Sequence, residues 1–174
     1  MTEKQISSET IYQGRVIEVR KDQVLLPDGQ FGMREVVVTN DAVAVIALNE
    51  RQEVLLVKQY RHPAGQNLWE IPAGKIEAGE TPLQSAQREL EEETGYRAKN
   101  WRSLSSFYMS PGFCTERIHL LIASDLTEYQ QKLDQDEFIE VGKFVLAEAL
   151  QMVEKRDIID AKTIIGLFAA DREL

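Results

Sequence analysis

Residues 74–96 read GKIEAGETPLQSAQRELEEETGY, in which a glycine-containing loop runs into a stretch with helical spacing. Thr81 is a favoured N-cap residue and Pro82 is tolerated in the first helical turn, so the pattern predicts a helix that begins there. Leu90 belongs to its apolar stripe, and Gly95 is typical of a C-terminal stop. The stretch therefore predicts a loop followed by one amphipathic helix.

Three glutamates of this helix share one face. Glu89, Glu92 and Glu93 stand at positions i, i+3 and i+4, where side chains are neighbours and like charges repel. Divalent cations would offset that repulsion, and Mg²⁺ typically binds a few carboxylates together with substrate phosphates. Arg88 can pair with Glu80 across the loop and orient the cluster. The cluster therefore predicts part of a phosphate site, and the alternative is a solvated acidic helix face.

The rest of the chain alternates strand-like and helical patterns. Residues 42–48 and 54–57 predict a hairpin, and Asp160 is expected to cap a last helix that runs through Phe168. The other predicted elements are strands at 16–19, 24–26, 34–38, 103–108, 118–123 and 139–145, a turn at 27–29 and a helix at 146–154. This order predicts an α+β fold in which a mixed β-sheet is sandwiched between helices (α/β/α).

The chain is expected to divide near residue 40. Residues 1–40 predict a small antiparallel β-region with little core of its own, which is marginal in isolation. We therefore expect it to pack on the main domain, residues 41–174, or on a second subunit.

Composition excludes several classes of protein. The 174 residues carry 20 Lys and Arg against 29 Asp and Glu, a net charge of −9, which argues against binding to a nucleic-acid backbone. No apolar run is long enough for a membrane span, and the polar start of the chain does not resemble a secretion signal. The single cysteine, Cys114, forms no internal disulfide and is compatible with a reducing cytoplasm.

The stretch 74–96 resembles the box of the Nudix hydrolase family, G-x5-E-x7-R-E-U-x-E-E-x-G-U, where U is aliphatic. Tyr96 at the last U position is a mild departure. The matching positions are Gly74, Glu80, Arg88, Glu89, Leu90, Glu92, Glu93 and Gly95. The resemblance implies a mixed sheet between helices, a loop–helix–loop box, and hydrolysis of a nucleoside diphosphate linked to another group.

The resemblance also implies roles for the box residues. Glu89 and Glu93 correspond to principal metal ligands, Glu92 to a further ligand or a water-orienting group, and the carbonyl of Ala73 to another member of the metal shell. Arg88 is expected to support catalysis by orienting these carboxylates. The implied cofactor is Mg²⁺, with Mn²⁺ as the alternative, because such cations bridge diphosphate oxygens and activate water.

The flanks of the box resemble ADP-ribose pyrophosphatases. Residues 58–61 (KQYR) and 69–74 (WEIPAG) carry this similarity, and Pro111 lies 15 residues beyond the box, which marks the same subfamily. Segments 133–141 and 160–163 are also similar. The implied reaction is hydrolysis of ADP-ribose to AMP and ribose 5-phosphate. The alternatives are another nucleoside diphosphate derivative, such as a sugar nucleotide or dinucleotide polyphosphate, a nucleoside triphosphate, or a non-catalytic nucleotide-sensing module.

Charged residues near these motifs are candidates for substrate binding. Arg34 and Arg61 can donate forked hydrogen bonds to phosphate or ribose oxygens. Glu70 and Glu116 can accept hydrogen bonds from ribose hydroxyls or from the adenine amino group. These four residues therefore predict the polar contacts of the substrate.

Other candidates lie in loops and on aromatic side chains. Ser110 and the backbone of Gly112 are expected to line the terminal ribose, and Tyr12 and Trp69 are candidates for stacking on adenine, although a core or interface position is equally compatible with an aromatic residue. The resemblance implies a homodimer in which the N-terminal strands complete the partner's adenine pocket.

The catalytic base is less clear from the sequence. Gln135 stands where related enzymes often carry a carboxylate, and an amide cannot accept a proton at neutral pH. Glu137 matches a residue implicated in metal or water handling. We therefore expect Glu137 or Glu92 to act as the base, unless metal activation of water makes a dedicated base less necessary.

Overall fold

The computed structural model describes residues 1–133 and 138–173. The strands are β1 (Lys4–Gln13), β2 (Glu18–Leu25), β3 (Phe31–Val38), β4 (Ala42–Ala47), β5 (Glu53–Arg61), β6 (Gln66–Glu70), β7 (Ala73–Lys75), β8 (Tyr96–Tyr108), β9 (Arg117–Glu128) and β10 (Ile139–Val145). The helices are α1 (Pro82–Thr94), α2 (Leu146–Glu154) and α3 (Ala161–Asp171), with a short 3₁₀ turn at His62–Ala64.

The chain forms two compact units. The first unit contains Met1–Asp41 together with Tyr108–Arg117, and the second contains Ala42–Phe107 and Ile118–Leu174. The sequence placed the segment Tyr108–Arg117 in the main domain, whereas its contacts group it with the N-terminal strands.

The first unit is built on an antiparallel sheet with the order β1-β2-β3. The turn between β2 and β3 is the one that the sequence predicts: Gly29 has a φ of +85° and donates from its backbone to the carbonyl of Leu26 over 3.0 Å. The sequence did not predict β1, in which all ten residues are exposed. The reason is that the sequence of β1 lacks the alternation of apolar and polar residues by which a half-buried strand is recognised.

The second unit contains two sheets. One is mixed, with the order β7-β4-β9-β8, in which β4 pairs with β9 in parallel and with β7 antiparallel. The other has the order β10-β5-β6 and is antiparallel. The predicted hairpin of residues 42–48 and 54–57 is therefore wrong, because β4 and β5 lie in different sheets, and the strand pairing between these segments is limited to an isolated bridge of Leu48, just after β4, with Val54. Both edges of β4 are already occupied by β7 and β9.

Strand β4 lies between helices on its two faces. Val43 and Val45 pack in one cluster with Ala86 and Leu90 of α1. On the other face, the side chain of Ile46 reaches Gly166 of α3, where an added Cβ would lie 2.7 Å from Ile46 Cδ1. Successive residues of a strand point to opposite faces, so this alternation places a helix on each side. The predicted α+β fold with a mixed sheet between helices is confirmed.

Helix α1 begins and ends where its sequence predicts. The side chain of Thr81 accepts a hydrogen bond from the backbone of Gln84 (3.3 Å), and the side chain of Gln84 accepts one from the backbone of Thr81 (2.9 Å). This reciprocal capping box satisfies two backbone donors that the helix itself leaves unpaired. At the other end, Gly95 has a φ of +71° and donates to the carbonyl of Glu91. These caps fix the length of α1 and hence the positions of its glutamates.

Candidate active site

The box loop and α1 meet where Gly74 faces Glu89. A Cβ atom at Gly74 would lie 1.9 Å from Glu89 Oε1, so the carboxylate occupies the space that any other residue's side chain would need. Strand β7, which carries Gly74, pairs with the buried strand β4 and is thereby held in place. The glycine of the box thus allows a carboxylate of α1 to lie directly against the loop.

Arg88 connects the acidic side chains around it. Its Nε and Nη2 atoms donate to the two carboxylate oxygens of Glu80, both over 2.9 Å. Its Nη1 atom donates to Glu89 Oε1 over 2.7 Å and to Glu92 Oε2 over 3.1 Å, and Nη2 also reaches the carbonyl of Lys75 over 3.1 Å. The predicted pairing of Arg88 with Glu80 is present, and the same guanidinium holds Glu89 and Glu92.

These contacts shift the pKa values of the pair. Hydrogen bonds from Arg88, then from Ser85, lower the pKa of Glu80 from 4.5 to about 2. The hydrogen bond to Glu80 raises the pKa of Arg88, and its burial opposes that effect only in part. Glu80 is therefore an ionised anchor for Arg88.

Glu93 is the buried member of the cluster. It is 3% exposed, and its Oε2 atom accepts a hydrogen bond from the backbone of Ala73 over 2.9 Å. Ala73 is the first residue of β7. The carbonyl of Ala73 and the carboxylate of Glu93 are both expected metal ligands, and the hydrogen bond from the Ala73 backbone N–H to Glu93 already holds these two residues together. The side chain of Glu92, by contrast, is 41% exposed.

The box offers oxygen ligands of the kind that hard cations prefer. Glu89, Glu92 and Glu93 lie within one turn of α1, and Glu93 contacts Ala73. Within residues 1–133 and 138–173, no three acidic, histidine or cysteine side chains converge into a ready cation site. Arg88 Nη1 lies between Glu89 and Glu92 and donates to one oxygen of each, so this guanidinium sets the orientation of both carboxylates.

Residues 131 and 132 are attached to the C-terminal end of α1. Gln131 donates from its side chain to the carbonyl of Glu93 over 2.6 Å, and the backbone of Lys132 donates to the carbonyl of Glu92 over 3.1 Å. The sequence did not single out Gln131. Glu137, which the sequence predicts for catalysis and metal binding, lies outside the described residues, as does Gln135.

Arg61 and Glu70, predicted to contact substrate, contact one another. Arg61 Nε and Nη2 donate to the two oxygens of Glu70 over 2.7 and 2.8 Å. Lys162 also donates to Glu70, which is 1% exposed. Burial works against ionisation of Glu70, but Arg61 and Lys162 outweigh it and hold its pKa below the usual range. The sequence did not predict a role for Lys162, because its pairing with Glu70 joins positions 92 residues apart.

Trp69 packs inside the second unit. Its ring meets that of Phe144 edge to face, with the centroids 5.0 Å apart, and Lys58 Nζ lies 5.4 Å from its centre. The alternative that this aromatic is a packing residue is therefore supported by its contacts, and stacking on adenine stays a prediction.

Two predicted substrate residues lie on the strands of the first unit. Arg34 of β3 forms an ion pair with Glu3, with Nε donating to Oε2 over 3.0 Å, and this contact raises the pKa of Arg34. Tyr12 of β1 is 56% exposed, and its ring lies against Gly14. Their roles toward a ligand stay predictions.

The other three predicted substrate residues, Ser110, Gly112 and Glu116, lie in the segment Tyr108–Arg117 of the first unit. The carbonyl of Ser110 accepts hydrogen bonds from the backbones of Phe113 (3.1 Å) and Cys114 (2.8 Å), which closes a turn around Gly112. The carbonyl of Glu116 accepts one from Met109 over 3.2 Å. The structure thus brings Ser110, Gly112 and Glu116 into one loop, and it brings the box residues together on α1 and β7.

None of the described helices is both long and apolar enough to cross a membrane.

Comparisons with known proteins identify two family matches along the chain. Residues 38–166 match the model of the NUDIX domain, and residues 3–37 match the model of the nucleoside diphosphate sugar hydrolase N-terminal domain. The first match contains every box residue described above.

Individual relatives are similar over nearly the whole chain. An ADP-ribose pyrophosphatase of Bacillus subtilis (strain 168) is 46% identical over 169 residues, which cover 96% of this chain and 91% of that protein. A methanol dehydrogenase activator of Bacillus methanolicus is 46% identical over 167 residues, which cover 95% and 90%. The crystal structure of an ADP compounds hydrolase matches this fold with a TM-score of 0.90 over 100% of this chain and 95% of that one, at 23% identity. The family match, these relatives and the arrangement of the box together lead to one conclusion: this chain belongs to the Nudix hydrolase family.

Proposed function

We propose that this protein hydrolyses the diphosphate of ADP-ribose to AMP and ribose 5-phosphate. The observation that carries the proposal is the turn of α1 in which Glu89 and Glu92 share one nitrogen of Arg88 beside the buried Glu93. The 46% identity to an ADP-ribose pyrophosphatase over 96% of the chain supports the substrate. The N-terminal match to a nucleoside diphosphate sugar hydrolase domain supports the same substrate class.

Nudix hydrolases are generally dependent on a divalent metal, and we propose Mg²⁺, with Mn²⁺ as a substitute, for this one. Glu89, Glu92, Glu93 and the carbonyl of Ala73 would hold it, together with Glu137. The fit rests on the donor set, which is entirely oxygen, and on Gly74, whose missing side chain leaves room for the Glu89 carboxylate. Bound there, the cation would neutralise phosphate charge and lower the pKa of a bound water.

Residues of the chain itself would orient the metal ligands and accept a proton from the attacking water. Glu80 holds Arg88 through two hydrogen bonds, and Arg88 orients Glu89 and Glu92. Glu92 has the exposure that a base needs in order to take a proton from water on a carboxylate oxygen. Glu137 is the second candidate for that proton.

We also propose that Arg61 binds the diphosphate. Its guanidinium is locked by Glu70 yet 37% exposed at the side chain, and the charge of Glu93 contributes to its raised pKa, after the larger effects of Glu70. The charge of Glu93 thus acts on Arg61, which supports a role for this guanidinium toward an anionic ligand held at the box.

A substrate panel tests the proposal. The protein is incubated with ADP-ribose, a sugar nucleotide, a dinucleotide polyphosphate and a nucleoside triphosphate, each with Mg²⁺, Mn²⁺ or a chelator. Release of the corresponding nucleoside monophosphate is measured, which is AMP for ADP-ribose. We expect ADP-ribose to give the highest kcat/KM and the chelator to abolish turnover. The Glu93→Gln variant should lose at least about a hundredfold in kcat, because the amide cannot replace a buried anionic ligand. Faster cleavage of another substrate would reassign the activity within the family.

The panel also tests a role without catalysis. A sensing module would bind ADP-ribose in calorimetry with Mg²⁺ present and release no AMP over several hours. Glu92→Gln and Glu137→Gln variants, assayed at saturating Mn²⁺, then distinguish the two candidate bases. The true base should cost about a hundredfold or more in kcat and remove the fall of kcat at acid pH, whereas loss of a metal ligand should mainly lower the Mn²⁺ affinity.

A second candidate function is activation of a dehydrogenase. The observation that favours it is the 46% identity to the methanol dehydrogenase activator, equal to that of the ADP-ribose pyrophosphatase. The test adds the wild-type protein, or Glu93→Gln as the control, to a methanol dehydrogenase assay. A rate increase with both proteins would indicate activation that does not need the box.

We propose that the protein is a homodimer that acts in the cytoplasm and binds neither nucleic acid nor membrane. The exposed apolar residues of the first unit support the dimer, and they include Ile11, Phe31 and Phe113. The net charge of −9 and the single cysteine support the other statements.

A further inference from the structure

Four charged side chains form a balanced network in the second unit. Glu70 and Asp160 contribute the negative charges, and Arg61 and Lys162 contribute the positive ones. Arg61 takes both oxygens of Glu70, and Lys162 Nζ bonds both Glu70 Oε2 and, over 3.1 Å, Asp160 Oδ1. The side chain of Lys162 is only 12% exposed and that of Glu70 2%, so each charge depends on its partners rather than on water.

The register of the β5–β6 hairpin explains how Arg61 meets Glu70. Glu70 lies opposite Val57, and Arg61 follows Val57 by four residues on the same strand. Residues an even number apart on a strand share a face, so the long side chain of Arg61 can extend along the hairpin to the carboxylate. The hairpin alone therefore provides one cation for Glu70.

Helix α3 provides the second cation from a fixed position. Asp160 caps α3 by accepting hydrogen bonds from the backbone (2.9 Å) and hydroxyl (2.6 Å) of Thr163. The hydroxyl oxygen of Thr163 accepts one from the backbone of Ile71 over 2.9 Å. Ile71 directly follows Glu70, so the start of α3 is tied to the end of β6. Lys162 lies between these anchors, which limits where its ammonium can go.

We infer that Lys162 is a positioning residue that holds the Glu70 carboxylate, and through it the guanidinium of Arg61, in the orientation that binds the substrate's diphosphate. The inference rests on the proposed function in its assignment of Arg61 to that ligand. Without Lys162, Glu70 Oε2 loses one of its two cationic partners and the carboxylate can rotate with Arg61. A planar guanidinium recognises phosphate by a forked pair of hydrogen bonds, which depends on its orientation.

The first test replaces Lys162 by methionine, which keeps the length of the side chain and removes its charge. We expect KM for ADP-ribose to rise about tenfold and kcat to change less than about threefold, because Arg61 would bind the diphosphate equally in the ground and transition states. The affinity for Mn²⁺ should stay unchanged, since the ion pairs of Lys162 are with Glu70 and Asp160, which are not among the proposed ligands. The matched control is Lys155→Met, an exposed lysine after α2, and it should leave KM unchanged.

Two further variants separate positioning from a general structural effect. Lys162→Arg restores a cation and should recover most of the lost affinity. In an Arg61→Ala background, Lys162→Met should raise KM no further, because a residue that acts through Arg61 has nothing left to position. An additive increase in KM in that background would overturn the inference.

A binding measurement makes the result independent of turnover. The affinity for ADP, which carries the same diphosphate, is measured by calorimetry with Mg²⁺ and should fall about tenfold in Lys162→Met. If Lys162→Met does not fold, Lys162→Gln, which keeps a polar side chain at this position but carries no charge, takes its place and should show a loss in the same direction. Wild-type affinity for ADP in a folded variant would refute the role of Lys162, whereas absence of ADP-ribose turnover in the wild type would refute only the proposed function.

Discussion

Single residues of the box either leave space for a neighbouring side chain or form ion pairs with neighbouring side chains. Gly74 illustrates the first case, because its missing side chain makes space for the carboxylate of Glu89. Arg88 illustrates the second, because one guanidinium reaches Glu80, Glu89 and Glu92. The sequence pattern identifies these positions, and the structure shows which side chains each of them contacts.

Replacing Gly74 by alanine should weaken metal binding more than folding. The new methyl group meets the end of a flexible side chain, so Glu89 can move aside at a cost of about 1 kcal/mol or less in unfolding free energy. Its carboxylate is then misplaced, and Mn²⁺ affinity should fall about tenfold or more. Titration calorimetry and urea unfolding measure the two effects.

Gly79→Ala is the contrasting control for that prediction. Gly79 has a φ of +89° with open space around its Cβ position, so alanine there is strained without displacing a carboxylate. It should lose about 1 kcal/mol of stability and keep its Mn²⁺ affinity. The opposite pattern in the two variants would contradict the role assigned to Gly74.

The ion pair of Glu80 with Arg88 should make stability depend on acid pH. The folded-state pKa of Glu80, about 2, lies below its ordinary value of 4.5, so its stabilising effect is complete above the ordinary value and is lost as pH falls toward the lower one. In Glu80→Gln, the unfolding free energy should therefore fall less steeply from about pH 5 to about pH 3 than in the wild type. Equal slopes in urea unfolding series would exclude the contribution of Glu80.

At the scale of elements, close packing of α3 on β4 depends on Gly166. An added Cβ would lie 2.7 Å from Ile46 Cδ1 and 3.0 Å from Ile71 Cδ1, so Gly166→Ala should destabilise the protein by about 1–3 kcal/mol through overpacking. Ile46→Val removes the nearer methyl group and should recover part of this loss in the double variant. Thermal unfolding of the two single variants and the double variant measures the coupling, and strictly additive losses would contradict it.

Elements also show where local patterns succeed and fail. The capping box of Thr81 and the left-handed Gly95 are local signals, and α1 has the bounds they predict. The hairpin of residues 42–48 and 54–57 was wrong because strand pairing is decided by which edges are free, and the edges of β4 are taken by β7 and β9. The residue pattern of a strand indicates which side chains are buried, but it does not identify the strand that pairs with it.

At the scale of the whole molecule, the first unit should mediate dimerisation. It contains a cavity of about 450 Å³ whose apolar lining includes Ile11, Val19, Val37 and Phe113. A charge at the exposed Ile11 should convert the proposed dimer to a monomer, because an unpaired carboxylate in an apolar interface is costly. Sedimentation velocity of Ile11→Glu is compared with that of Ile165→Glu, an exposed isoleucine of α3, which should stay dimeric. A monomeric wild type at micromolar concentration would contradict the proposal.

The sequence was sufficient for the family, the helix α1 and its row of glutamates, because these depend on neighbours within a few turns of chain. The tertiary structure was needed for the partners of those residues. Glu70 and Lys162 are 92 positions apart, and no local spacing relates them, yet burial obliges each charge to find an opposite one. The start of α3 brings Lys162 to Glu70, and the β5–β6 hairpin brings Arg61. Pairings of this kind follow from how elements pack, and short-range patterns contain no information about them.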